Sequence, residues 1–166
     1  MKFLTVDDYF SPSANITLAG LSPEVENKRL TECVTFIKYM NDYLKFEDRT
    51  LCIAIHMFIL YARKFTFAEF NMYLACGMSH FIAAKIEYKH PSIEFYEKFT
   101  HEKQPAAKPV KGKPIRVLTY DEVKEKIHKD ALRIELDILT VIGFDFEFDF
   151  AFTYISSCQM LPPQVI

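Results

Sequence analysis

Five histidines and four cysteines are the side chains of this 166-residue chain best suited to hold a metal or attack a substrate. Their spacing supports neither. His56, His80, His90, His101 and His128 form no His-Glu-x-x-His pair, the spacing that puts two imidazoles on one helix face around zinc. Cys33, Cys52, Cys76 and Cys158 stand far apart with no Cys-x-x-Cys, so neither a tetrahedral zinc site nor a redox dithiol is indicated. Each lies in an apolar stretch, the setting of buried free thiols. Gly-x-Ser-x-Gly, the P-loop and Gly-x-Gly-x-x-Gly are all missing, so no nucleophile elbow or phosphate cradle is marked. His56 sits on an apolar helix and reads as a hydrogen-bonded core residue, while His101-Glu102 at a helix end reads as a favourable dipole contact. The expectation is a protein that is not an enzyme and uses no metal or cofactor.

Two charges in apolar surroundings are more informative. On a helical wheel at about 100° per residue, Lys126, Lys129, Asp130, Arg133 and Asp137 share one solvated arc. Glu135 falls opposite, flanked by Leu132, Leu139 and Ile142. In an earlier segment, Lys85 stands where the stripe Leu74, Met78, Phe81 calls for the next apolar residue. A lone charge there is costly unless it is paired or meets a partner. Either Lys85 and Glu135 satisfy each other at the rim of a hydrophobic surface, or Lys85 snorkels at its helix end and Glu135 reaches water separately. Spacing alone does not choose.

Helices must carry these residues. Ser22-Pro23-Glu24 opens the first: a capping hydroxyl, a proline in the first turn and acids at the positive end of the dipole. Leu30, Val34, Ile37, Met40 and Leu44 follow as its stripe. A second helix spans about Asp48 to Arg63 and is apolar nearly all round, which suits the centre of a bundle. Thr66-Phe67-Ala68-Glu69 has the form of a capping box and is expected to start the third, with Phe70, Leu74, Met78 and Phe81 on one face. Pro91 suits the first turn of a fourth helix reaching His101. Thr119-Tyr120-Asp121-Glu122 opens the fifth, and Gly143 is placed to end it. Residues 1–20, with Ser11-Pro12-Ser13, read as an irregular lead-in. Residues 144–154 alternate phenylalanine with acids (Phe144, Phe146, Phe148, Phe150, Phe152) and read as an extended segment packed on the bundle. The fold class is therefore all-α, divided as a lead-in over 1–20, a five-helix bundle over 21–145 and a Phe-rich C-terminal segment over 146–166.

A net charge of −2 argues against a general affinity for nucleic acid. Lys103, Lys108, Lys111, Lys113 and Arg116 cluster in the proline-bearing stretch 103–116, which reads as a solvated linker ahead of an RNA, DNA or phosphopeptide contact. The apolar run Leu51 to Ala62 is well short of the roughly 20 residues that cross a bilayer, and Asp7-Asp8 does not suit a secretory signal. A soluble, intracellular protein is expected.

The segment Phe81-Ile82-Ala83-Ala84-Lys85-Ile86-Glu87-Tyr88 resembles the cyclin family, in which an apolar run ending Ala-Ala-Lys precedes an aliphatic residue and Glu. The family's distal glutamate, ahead of a Gly-Phe, is matched by Glu135 and Gly143-Phe144. Arg29 stands at a spacing similar to that of the family's first-helix arginine. The likeness covers roughly residues 20–155, and the lead-in Ser-Pro-Ser with the long loop after the fourth helix is closest to the transcription-type cyclins, the T, K, C and H branch. Three features depart from the pattern. The second helix lacks the acid that pairs with the arginine, Tyr88 replaces a second glutamate, and no second five-helix repeat follows.

The resemblance implies a single cyclin box that binds and activates a cyclin-dependent protein kinase in the nucleus. Lys85 and Glu135 would anchor the segment leading into the kinase C-helix, with Glu87 beside them and Phe81, Ile82, Leu132 and Leu139 as apolar neighbours; the second helix would be the buried centre. The alternatives are a cyclin-fold adaptor in a transcription complex that activates no kinase, and self-association through the apolar surface near Lys85.

Overall fold

Six helices make up the regular structure among the described residues of a computed structural model, residues 11–89, 91–105 and 118–148. They are α1 (Ala14–Thr17), α2 (Pro23–Leu44), α3 (Asp48–Lys64), α4 (Met72–Ile86), α5 (Ile93–Lys103) and α6 (Tyr120–Val141). The described residues contain no strand, and the all-helical expectation holds.

Most helix ends follow the local chemistry of the chain. Ser22 caps α2 with its hydroxyl toward the Val25 amide, and Pro23 fills the first turn. At the start of α6, the Glu122 carboxylate accepts from the Thr119 amide at 2.8 Å and from its hydroxyl at 3.1 Å. Gly143 ends α6 at φ 68°, where the amides of Gly143 and Phe144 reach back to Thr140 and Leu139 at 3.1 and 2.9 Å. This is the paired bonding of a Schellman motif.

Three sequence expectations need correction. Thr66 and Glu69 do bond, with the Glu69 carboxylate 2.6 Å from the Thr66 amide, yet they close a turn instead of starting a helix. α4 begins after Asn71, whose side-chain oxygen takes the Tyr73 and Leu74 amides at 3.0 and 3.2 Å. An Asn within reach of two orphan amides outcompetes the upstream box. Pro91 lies before α5, which is capped at Ser92 and runs two residues past His101 to Lys103. The lead-in is not irregular throughout, because Ser13 caps the short α1.

The centre of the bundle is α4, not the preceding helix. Every residue of α4 from Leu74 to Ala84 is buried, and α2, α3, α5 and α6 all pack on it. Small side chains make this possible: Ala75, Gly77, Ser79, Ala83 and Ala84 let neighbouring helices approach closely. A Cβ on Gly77 would lie 2.5 Å from Thr100 Cγ2 on α5. α3 buries only Thr50, Ile53, Ala54, Met57, Phe58, Tyr61 and Ala62, and keeps Leu51, Cys52, Ile55, His56, Ile59 and Leu60 half-buried.

Buried polar groups fix the packing. His80 is the hydrogen-bonded core histidine, a role the sequence pattern assigned to His56. His80 Nε2 lies 3.1 Å from Asn41 Oδ1, and Nδ1 lies 2.8 Å from the Tyr96 hydroxyl. Neutral imidazole satisfies both contacts, donating from Nε2 and accepting at Nδ1. Burial, then the charge of Lys89, holds His80 down at about 4. His56 is half-buried, edge-on to the Phe148 ring at 5.8 Å.

A second buried cluster ties the lead-in to the bundle. Fully buried Asn15 donates to the Ala62 carbonyl at 2.9 Å and to Glu26 at 3.2 Å, and accepts from the Phe67 amide at 2.8 Å. Ser13 also donates to Glu26. Cys33 and Cys76 are buried free thiols, as expected, and Cys52 is half-buried. His90, Cys158, Phe150, Phe152 and most of the basic stretch, including Lys108, Lys111, Lys113 and Arg116, lie outside the described residues.

Candidate functional site

Two charges separated by 50 positions in the chain become neighbours because α6 packs on α4. Lys85 is in the last turn of α4, where a cation favours the helix dipole. Its ammonium donates to Glu135 on α6, and it lies 4.3 Å from the centroid of the Phe81 ring one turn earlier. The Lys85 side chain is 43% exposed and that of Glu135 17%, so the pair stands at the rim of the bundle, not inside it. Of the two arrangements open to the sequence, the paired one occurs.

Glu87, at the end of α4, accepts from Arg49 Nε on α3 at 3.0 Å. The next two residues close the helix: the Tyr88 amide bonds Lys85 O at 3.1 Å and the Lys89 amide bonds Ala84 O at 2.8 Å. This too is a Schellman pattern, but its left-handed position, φ 56°, is filled by Tyr88 where glycine would be unstrained. Tyr88 is 88% exposed, so the two helix-closing hydrogen bonds, rather than side-chain packing, offset that strain.

The remaining site residues predicted from the sequence separate into two groups. Ile82 is in the core and Phe81 is almost wholly covered, so these residues support the surface from beneath. Leu132 is exposed and Leu139 half-buried, on the same face of α6 as Glu135. Leu136, missed from the sequence, belongs with them and is 58% exposed. Its spacing from Leu132 and Leu139 completes an i, i+4, i+7 row, which is the signal that marks it in the sequence. Phe144, at φ 56°, and Phe146 add exposed aromatic surface past the end of α6. Arg49 also gave no signal, since its contact with Glu87 depends on how α3 and α4 pair.

Among the described residues no acid pairs with Arg29 as in the resembled family. Its guanidinium instead lies 5.7 Å from the centroid of the Phe67 ring. Among the described residues no group of three His, Cys, Asp or Glu is arranged to hold a metal ion, and no helix is long and apolar enough to cross a membrane.

The ion pair leaves further donors on the ammonium and an acceptor edge on the carboxylate, with apolar side chains on the same helices. The fold is a helical bundle with this pair at its rim. The chain belongs to the cyclin family: the family model of the cyclin N-terminal domain matches residues 2–147. Members of that family are regulatory rather than catalytic. A comparison with curated proteins returns no match.

Proposed function

We propose that this protein is the regulatory subunit of a cyclin-dependent protein kinase, docking through the α4–α6 rim. The observation that carries the reading is the Lys85–Glu135 pair, assembled from two helices, with exposed Leu132 and Leu136 on the helix of Glu135. Lys85 and Glu135 would hold the extended segment leading into the kinase C-helix, Lys85 by donating to its carbonyls and Glu135 by accepting from its amides. Leu132, Leu136 and Leu139 would pack against that helix, with Phe81 and Ile82 supporting them from below. Glu87 would stand beside the contact, held by its ion pair with Arg49.

Docking on this surface would press the C-helix inward, complete the kinase's internal Lys–Glu ion pair and order its activation loop. The protein therefore needs higher affinity for the active kinase conformation than for the inactive one. Tyr88, three residues past Lys85 and 88% exposed, offers further aromatic surface to a partner. The Ser11-Pro12-Ser13 lead-in and the long α5–α6 connection favour a kinase of the transcription branch and a nuclear location.

The test is affinity capture of the tagged chain from its own cell extract, followed by mass spectrometry and a kinase assay, in parallel with Lys85→Glu. Reversing one charge places two acids side by side and removes the donors. Losing a desolvated charged contact costs about 2–5 kcal/mol of binding, or roughly 30- to 5,000-fold in affinity. A kinase captured by the parent and lost with Lys85→Glu is the expected result. Equal capture by both overturns the docking site. Absence of any kinase with folded protein points instead to the adaptor role within a transcription complex.

A further inference from the structure

The end of α4 is tied to the α2–α3 corner on both sides of Tyr88. Before it, Glu87 accepts from Arg49 Nε at 3.0 Å. After it, the Lys89 ammonium donates to the Thr50 hydroxyl at 2.9 Å and lies 4.8 Å from the centroid of the Phe46 ring. The anchors are themselves fixed. Thr50 is fully buried, and Phe46 stacks on the buried His80 ring at 5.7 Å while its carbonyl accepts from Asn41 at 3.0 Å. Half-exposed polar pairs contribute little to folding stability. Their main effect here is to restrict the turn that carries Tyr88, a residue almost wholly in solvent.

We propose that Tyr88 is a recognition residue of the docking surface and that Arg49 and Lys89 act through it as positioning residues. The inference rests on the kinase-docking reading above and adds to it a named aromatic contact. An exposed tyrosine offers a large contact area with few rotatable bonds to freeze, which is why tyrosine is frequent among the residues that dominate binding. That advantage shrinks if the backbone beneath the ring must be ordered at the moment of binding. Arg49 and Lys89 remove that cost in advance by pinning the residues on either side of Tyr88. Lys85 and Glu87 are already paired with Glu135 and Arg49, so the ring is presented between neutralised neighbours and meets an uncharged part of the kinase.

The test uses the kinase recovered with the parent chain, titrated against the full-length protein and its variants. Tyr88→Ala should weaken binding at least roughly tenfold. Arg49→Met and Lys89→Met combined should weaken it roughly three- to tenfold, but by no more than about twofold in the Tyr88→Ala background. Melting curves of all three variants should overlay the parent's. In the unbound protein, amide exchange at Tyr88 and Lys89 should rise at least about tenfold when both tethers are removed. Full-strength binding by Tyr88→Ala refutes the recognition role. A tether effect of the same size with and without the tyrosine, or unchanged amide exchange, refutes the positioning role. If either happens while Lys85→Glu still abolishes capture, this inference fails and the docking reading stands; a parent chain that recovers no kinase overturns both. Should the combined tether variant unfold, Tyr88→Ala, altered only at an exposed side chain, still decides.

Discussion

Gly77 is expected to be the least replaceable small residue of α4, and Thr100 the reason. In the middle of a helix, Gly→Ala ordinarily gains about 1 kcal/mol, because alanine loses less backbone freedom on folding. Here the added methyl would lie 2.5 Å from Thr100 Cγ2, well inside van der Waals contact. Thr100 cannot easily rotate away, since its hydroxyl donates to the carbonyls of Tyr96 at 2.8 Å and Glu97 at 3.1 Å. α4 and α5 must therefore separate, and overpacking of this kind costs about 1–3 kcal/mol. With the lost propensity gain no longer visible, Gly77→Ala should be net destabilising by about 1 kcal/mol, lowering Tm by about 2–4 °C for a chain of this length. Thr100→Ser removes the obstructing methyl and keeps both hydrogen bonds, at a cost of about 1 kcal/mol. The double variant should fall close to the parent, so the two substitutions couple by about 2 kcal/mol in urea unfolding. Simple additivity, or a Gly77→Ala variant more stable than the parent, would refute the close approach of α4 and α5.

Three further outcomes are expected. His80 is held neutral in the fold at about 4, against 6.5 for the free side chain, so between those values the unfolded chain binds the extra proton. Stability contributed by neutral His80 is complete above pH 6.5 and is lost on acidification toward pH 4, by about 3 kcal/mol in all. Urea titrations of the parent and His80→Gln at both ends of that range should show the stability difference between them changing by this amount, and a constant difference would disprove it. Asn15→Ala strands the Phe67 amide and the Ala62 carbonyl and should cost about 3 kcal/mol, with faster amide exchange around residues 11–17; a loss under 1 kcal/mol argues against the buried anchor. Lys85→Ala, by contrast, breaks a rim ion pair worth about 0–1 kcal/mol to folding, so its melting curve should nearly overlay the parent's while kinase capture collapses.

The alternation of apolar and polar residues, read with Ser22, Thr119 and Gly143, was enough to place α2, α3 and α6 and to establish an all-helical chain, because capping and periodicity are local properties of the backbone. The Ala83-Ala84-Lys85 segment and Glu135 were legible for the same reason: a charge inside an apolar stripe can be recognised without knowing its neighbours. Competition between nearby signals was not legible. Thr66–Glu69 satisfied the pattern of a helix start, yet Asn71 took that role because its side chain reaches two amides once the chain turns. Nor does apolar content reveal which helix is central. α3 is the greasier-looking segment, but α4 occupies the middle because Gly77 and its alanines permit four helices to approach, a property of pairs of surfaces. His80 outranked His56 for the same reason, since its partners Asn41 and Tyr96 come from α2 and α5. Capping and periodicity mark the helices and the two anomalous charges because they act within a few residues; that those charges meet, and which small residues bear the close contacts, depends on how separate helices pack.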